Sequence, residues 1–225
     1  MSTPPKIGII ICSTRQPRVC PQIAQFVLDT IKSKQSTQPQ PDTTTTTSIL
    51  IPPPVLNLID LSTWALPFFN ESTIPRQITS PSQYDHEHTR AWSAEITSYS
   101  AFIFVVPQYN WGYPAVVKNA IDYLYHEWSG KPAFVVSYGG HGGGKCNRQL
   151  REVLEGVNMV VDAGGAGGVE LRFPGREVLG KAARGEDIGL KKVGGEEGYW
   201  KEEAIAIAVA YEGLLRVLVE GQAKV

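Results

Sequence analysis

Three nearly unbroken apolar runs punctuate the chain: Lys6–Cys12 (KIGIIIC), Ala101–Val106 (AFIFVV) and Lys131–Val136 (KPAFVV). Each is long enough for a strand and short for a helix. None alternates with polar residues, so they read as strands buried on both faces. Another strand is expected mainly at Val55–Ile59, because Pro52, Pro53 and Pro54 before it cannot sit in a central ladder. A fifth lies within Asn158–Phe173, its limits blurred by a glycine run.

Between these segments the apolar period becomes that of a helix. Ile23, Phe26, Val27, Thr30 and Ile31 lay out one such face, and Val117, Ala120, Ile121 and Leu124 another. Trp92, Ile96 and Tyr99 give a third stripe, and Asn147, Leu150, Val153 and Leu154 a fourth. Trp200, Ala204, Ile207, Tyr211, Leu214, Leu215 and Leu218 form an amphipathic closing helix. Pro21 and Pro114 each suit a first helical turn. Strand and helix alternate five times. This predicts an α/β fold, a doubly wound five-stranded parallel sheet of order 2-1-3-4-5 with helices on both faces.

Three turns follow the carboxyl ends of the first, third and fourth strands, which lie side by side in that order. The first, Ser13-Thr14-Arg15-Gln16-Pro17-Arg18, leads into a helix N-terminus. Free N–H groups, two hydroxyls and two arginines make it a candidate anion site, a solvated loop being the alternative. It lacks the glycine fingerprint of a dinucleotide-binding Rossmann turn. The second turn opens with Pro107, which ends the ladder, and continues Gln108, Tyr109, Asn110, Trp111, Gly112, Tyr113. Aromatics and carboxamides there suit a flat, hydrogen-bonding ligand; the alternative is a packed rim of the core. The third, Ser137-Tyr138-Gly139-Gly140-His141-Gly142-Gly143-Gly144, is stripped of side chains, so backbone N–H groups can close on a ligand. Leu66-Pro67-Phe68-Phe69 either borders the ligand or fills the core.

The run P-Q-Y-N-W-G-Y-P followed by V-K-N-A-I-D closely resembles the flavin-ring loop of the NAD(P)H-dependent FMN and quinone reductases, a flavodoxin-like family, and above all its fungal quinone reductases. S-Y-G-G-H-G-G resembles the family's loop against the flavin. The family's phosphate loop, G-S-x-R, is matched by Ser13 and Arg15, with Cys12 in place of the glycine. The resemblance implies FMN held by Ser13, Arg15, Arg18, Pro107, Gln108, Tyr109, Asn110, Trp111, Ser137, Tyr138, Gly139 and Gly140. It implies an oxidoreductase with NAD(P)H as co-substrate and a quinone-type acceptor, working by ping-pong hydride transfer through the flavin. No side chain is assigned as acid or base, since the chemistry belongs to the cofactor. A flavodoxin-like electron carrier or a flavin-redox-responsive binding protein is the alternative.

Other chemistries are less well supported. His86 and His88 are two apart, so on a helix they point to different sides and make a poor metal pair. No G-x-S-x-G elbow supports a hydrolase reading of Ser137 and His141. A formal net charge of −1 gives no case for nucleic acid or an anionic membrane as partner. No apolar stretch approaches the ~20 residues that span a bilayer. Cys12, Cys20 and Cys146 show no metal-ligand spacing, and with no secretory pattern they read as reduced thiols of a cytoplasmic protein.

The length of 225 residues fits one domain, 1–225, with a low-complexity insertion at 33–48 and a mobile loop at 174–198. Trp111, Tyr113, Tyr123, Tyr125 and Trp128 crowd one loop and the helix after it. One helix face cannot hide them all, so a two-fold homodimer through the 113–128 and 86–99 helices is expected. The family resemblance points the same way.

Overall fold

A computed structural model describes residues 3–37, 52–161, 168–190 and 198–222. Strand β1 (Lys6–Ile11) leads to helix α1 (Cys20–Thr37), β2 (Val55–Asp60) and the single turn α2 (Leu61–Trp64). Next come α3 (Glu87–Thr97), β3 (Ala101–Pro107), α4 (Ala115–Asp122), β4 (Pro132–Gly139) and α5 (Gly144–Gly156). The chain closes with short strands β5 (Val160–Val161) and β6 (Val169–Arg172), then α6 (Arg176–Ala183) and α7 (Lys201–Gln222). The sheet runs β2-β1-β3-β4-β5, all parallel, as the alternation predicts. The fifth position is split: β5 pairs with the start of β4 at Pro132, and β6 with its end at Val136–Gly139.

Every residue of β3 is buried, which explains why its sequence has no polar alternation. Alternate residues feed two cores. Ile7, Ile9, Ile103, Val105, Phe134 and Val136 pack under α1 and α7. Ile10, Phe102, Phe104, Val106 and Val135 pack under α3, α4 and α5.

Three expectations need correction. Residues 33–37 continue α1. Gln35 Nε2 donates to the Tyr211 hydroxyl of α7 at 2.7 Å, and Lys34 stands where the helix dipole favours a cation. Residues 38–48 of the expected insertion lie outside the described residues. The 174–198 segment is not structureless, for it contains α6. Finally, the aromatics of 113–128 do not ride on one helix. α4 ends at Asp122, and the following turns fold Tyr123 and Trp128 inward until both are 0% exposed. Trp128 Nε1 donates to Ile121 O, and its ring packs edge-on against Phe102 and Trp92. The Tyr123 hydroxyl donates to the loop at Pro67–Asn70. Most of the aromatic surface offered for a dimer is thus spent inside the chain.

Among the described residues no helix is long and apolar enough to cross a membrane.

Trp128→Ala should destabilise the fold by about 3–5 kcal/mol, the usual cost of emptying a buried aromatic site. Denaturant unfolding of the two proteins measures it, with the change expected in midpoint and little change in slope.

Candidate functional site

The three turns do converge, at the carboxyl ends of β1, β3 and β4. The ladder runs past the strands: Cys12 N–H donates to Val105 O at 3.0 Å and Gln108 N–H to Tyr138 O at 3.1 Å. Side chains tie the turns together. The Ser13 and Tyr109 hydroxyls are 2.8 Å apart, joining the first turn to the second. Gln108 Oε1 accepts from Lys145 N and Cys146 N, each at 3.2 Å, and so caps α5. It takes the part of the missing cap, since the residue before the helix is Gly143. That residue has φ +84°, and a Cβ there would stand 3.0 Å from the Ser137 Cβ, so both backbone and space demand glycine. Ser137 Oγ donates to Gly142 O at 2.9 Å, bracing the glycine turn from beneath.

The crevice among these turns is lined by Arg15, Arg18, Pro107, Gln108, Tyr109, Tyr138, Gly139 and Gly140. Eight of the twelve expected residues therefore meet at one place. Ser13 and Ser137 are fully buried and act behind it as braces. Asn110 and Trp111 stand outside it, at the tip of the second turn. Their φ values of +46° and +71°, with hydrogen bonds in both directions between Tyr109 and Gly112, describe a tight hairpin turn. Asn tolerates that conformation; Trp is strained by it. The Trp111 ring is nonetheless 65% exposed, with Lys145 Nζ 3.9 Å from its centroid.

Arg18 has a double role. Its two terminal nitrogens donate to Asp60 Oδ1 (2.8 Å) and Oδ2 (2.6 Å), to Ser62 Oγ (2.7 Å) and to Ser13 O. The guanidinium thus pins the phosphate-type turn to the end of β2. Burial would raise the Asp60 carboxyl, but hydrogen bonds from Arg18 and Ser62 outweigh it and hold the group below its ordinary value. The remaining donor, Arg18 Nε, is buried without an acceptor among the described residues. A buried, unanswered guanidinium donor in a crevice wall fits an anionic ligand such as a phosphate.

The sequence reading missed the outer wall. Phe173 and, from α6, Leu179, Ala182 and Ala183 also line the crevice. Arg15 donates to Ala183 O at 2.7 Å and Ala182 O at 3.3 Å. Just beyond, Gly185 (φ +68°) presses so closely on the first turn that a Cβ would stand 2.8 Å from Arg18 N. Gln22 of α1 holds the same segment, donating to Glu186 O at 2.9 Å and accepting from Ile188 N at 3.2 Å. The sequence signal was the pairing of Val178 and Leu179 with Ala182 and Ala183 four residues on, supported by the Glu177–Lys181 ion pair. With α6 in place the crevice encloses about 160 Å³. Ligand pockets usually hold about 300–1,000 Å³. Leu179, 3.5 Å from where a Gly140 Cβ would stand, is half-exposed and narrows the mouth.

Beneath the crevice lie Cys12 and Cys20, with Cys146 at the start of α5, all buried and unpaired. Burial pushes the Cys20 and Cys146 thiols up to about 12 and Cys12 well above its ordinary value. They are not nucleophiles at neutral pH. Among the described residues no cluster of potential metal ligands forms; His86 instead precedes α3 and stacks on His88.

The Arg18–Asp60 pair carries a pH signature. Because the folded carboxyl titrates low, its stabilisation is complete above about pH 3.9, the ordinary Asp value, and is lost as pH falls through the folded value. Thermal unfolding should therefore show Asp60→Asn less stable than the parent at neutral pH, the gap closing below about pH 4.

Comparison with known proteins agrees with this geometry. The family model described as NADPH-dependent FMN reductase matches residues 5–170. The chain is 47% identical over 171 residues to the NAD(P)H-dependent FMN reductase LOT6 of Saccharomyces cerevisiae, covering 75% of this chain and 81% of that protein. It is 35% identical over 215 residues to the NAD(P)H-dependent FMN reductase ntnL of a Nectria species, covering 96% and 94%. In fold it resembles the flavoenzyme NAD(P)H:(acceptor) oxidoreductase FerB of Paracoccus denitrificans, with TM-score 0.56 over 95% of this chain and 97% of that one at 17% identity. Sheet order, converging turns and these matches together place the chain in the NADPH-dependent FMN reductase family, a family of flavodoxin-like oxidoreductases.

Proposed function

We propose that the chain reduces quinones or similar small acceptors with NAD(P)H, using FMN seated where the first, second and third turns meet. The observation that carries this is the unanswered Arg18 Nε in a crevice that also presents Arg15, Gln108, the aromatic rings of Tyr109, Tyr138 and Phe173, and the bare backbone of Gly139 and Gly140. The phosphate would lie on the first turn, with Arg18 Nε, Arg15 and the N-terminus of α1 as its donors. The ring would lie between Pro107–Tyr109 and Tyr138–Gly140, and Leu179 would turn outward to admit it. Such a rotation at a half-exposed side chain costs little. The cofactor supplies hydride acceptance and donation.

What the protein adds is position and electrostatics. Gln108 fixes the glycine turn by capping α5, which holds the Gly139 and Gly140 backbone against the ligand. The N–H groups of Gln108, Tyr109 and Gly112 are spent on Tyr138 O and on each other, so charge on a reduced ring would be met from the third turn at Gly139–Gly140. Tyr138 is buried and its hydroxyl is pushed well up, chiefly by burial and then by Cys20, so it stays a neutral wall. Trp111, strained and exposed at the rim, offers a flat surface to donor or acceptor. One crevice would serve both substrates, so they would bind in turn. A cytoplasmic setting accords with three unpaired, buried thiols. A homodimer would have to draw on apolar residues that stay exposed, among them Phe68 (84% exposed), Ile74 and Trp111.

Two outcomes are expected. Arg15→Ala should weaken FMN binding by about 1.5–3 kcal/mol, the value of a hydrogen bond to a charged group, with folding intact. Titration of the apoprotein by flavin fluorescence tests this, and unchanged affinity removes Arg15 from the site. Double-reciprocal plots of initial rate at several quinone concentrations should be parallel. Intersecting lines would instead mean that both substrates bind together.

A further inference from the structure

The crevice does not end at Gly140. Gly140, Phe173 and Leu179 are shared with a second cavity of about 710 Å³. Two arginines reach it from different elements. Arg172 ends β6, which is laddered to Gly139 of β4, and Arg176 begins α6 two residues after Pro174. Both side chains are exposed, and neither has an ion-pair or hydrogen-bond partner among the described residues. The aromatic wall of the cavity is more committed. Trp200 Nε1 donates to Arg172 O at 2.7 Å, and its ring meets Phe26 at 5.6 Å and Phe173 at 5.8 Å. This fixes both the aromatic wall and the backbone that carries Arg172. Trp200 holds φ +67°, a strained value for such a residue and one that proteins keep where geometry matters. Tyr199 lies edge-on to it, His141 adds a third basic group, and one carboxylate, Glu203 of α7, also lines the space.

A rigid aromatic wall beside two uncommitted guanidinium groups suits a flat base attached to a phosphate. The cavity shares Gly140, Phe173 and Leu179 with the crevice assigned to the flavin, so the two adjoin and together suit an elongated ligand with one end at the flavin. We propose that it binds the adenosine end of the dinucleotide, with Arg172 and Arg176 on the ribose phosphate that NADPH has and NADH lacks. Arginine is the residue that accommodates this phosphate in dinucleotide sites generally, whereas an acidic residue favours the bare ribose. Here two arginines and a histidine face one glutamate, so the chain prefers NADPH. The uncapped N-terminus of α6 adds N–H donors on the same side. The inference rests on the reductase reading, but its test separates the two.

The experiment uses the FMN-loaded protein. Calorimetry should show adenosine 2′,5′-bisphosphate binding at least about tenfold more tightly than 5′-AMP or inorganic phosphate, the increment expected of one charge-assisted contact pair. Arg172→Ala and Arg176→Ala should each raise the NADPH KM by about tenfold while leaving NADH oxidation within about twofold of the parent. Because both side chains are exposed and have no partner among the described residues, the thermal midpoint should not move. Equal binding of the three probes, or no binding to the FMN-loaded protein, overturns the proposal. So does an unchanged ratio of NADPH to NADH efficiency in the double variant. In either case NADH oxidation would persist, and the reductase reading would stand. Loss of oxidation with both nucleotides in the parent protein would strike that reading instead.

Discussion

The register of β1 against β3 and β3 against β4 is the constraint on which the rest depends. In a parallel ladder with both faces covered, every N–H and C=O of β3 must be paired by its neighbours, so the strands cannot slip without exposing a core face. That register sets Ile11 beside Val105 and Pro107 beside Tyr138, so the three turns leave the sheet at one end. The ladder bonds from Cys12 to Val105 and from Gln108 to Tyr138 then carry the order of the sheet into the turns. Ser13–Tyr109, Gln108 to α5 and Ser137–Gly142 complete a frame in which no turn is free to move alone.

Much of this could be read from the sequence, for physical reasons that differ along the chain. β1 and β3 announce themselves because strands buried on both faces have no polar positions. The turns do so because Pro107 ends a ladder and the glycine run from Gly139 has no other economical use. α6 was hidden by being short, by Gly180 within it, and by the glycine- and charge-rich residues on either side. With it were hidden the outer wall of the crevice and the role of Gln22. The inward turn of Tyr123 and Trp128 was hidden because the periodic stripe through Leu124 suggested that the helix went on. It stops at Asp122 instead, and nothing local marks that end.

Arg18 shows why a list of site residues understates a site. Read as a phosphate ligand, it is also the residue that fastens the first turn to β2 through Asp60. Removing it would lose a donor and leave a partly buried carboxylate unpaired, two effects that no single affinity measurement separates. Arg15 has only carbonyl partners on α6 and carries no such structural duty, which makes it the cleaner probe of ligand binding.

The burial of the three thiols has a chemical consequence. Quinones are electrophiles as well as oxidants, and a thiolate near one is arylated by conjugate addition. With a thiol held near 12, only about one molecule in 10⁵ carries the thiolate at neutral pH. If the crevice receives a quinone as proposed, the buried cysteines offer it little thiolate, a protection against arylation that comes from packing.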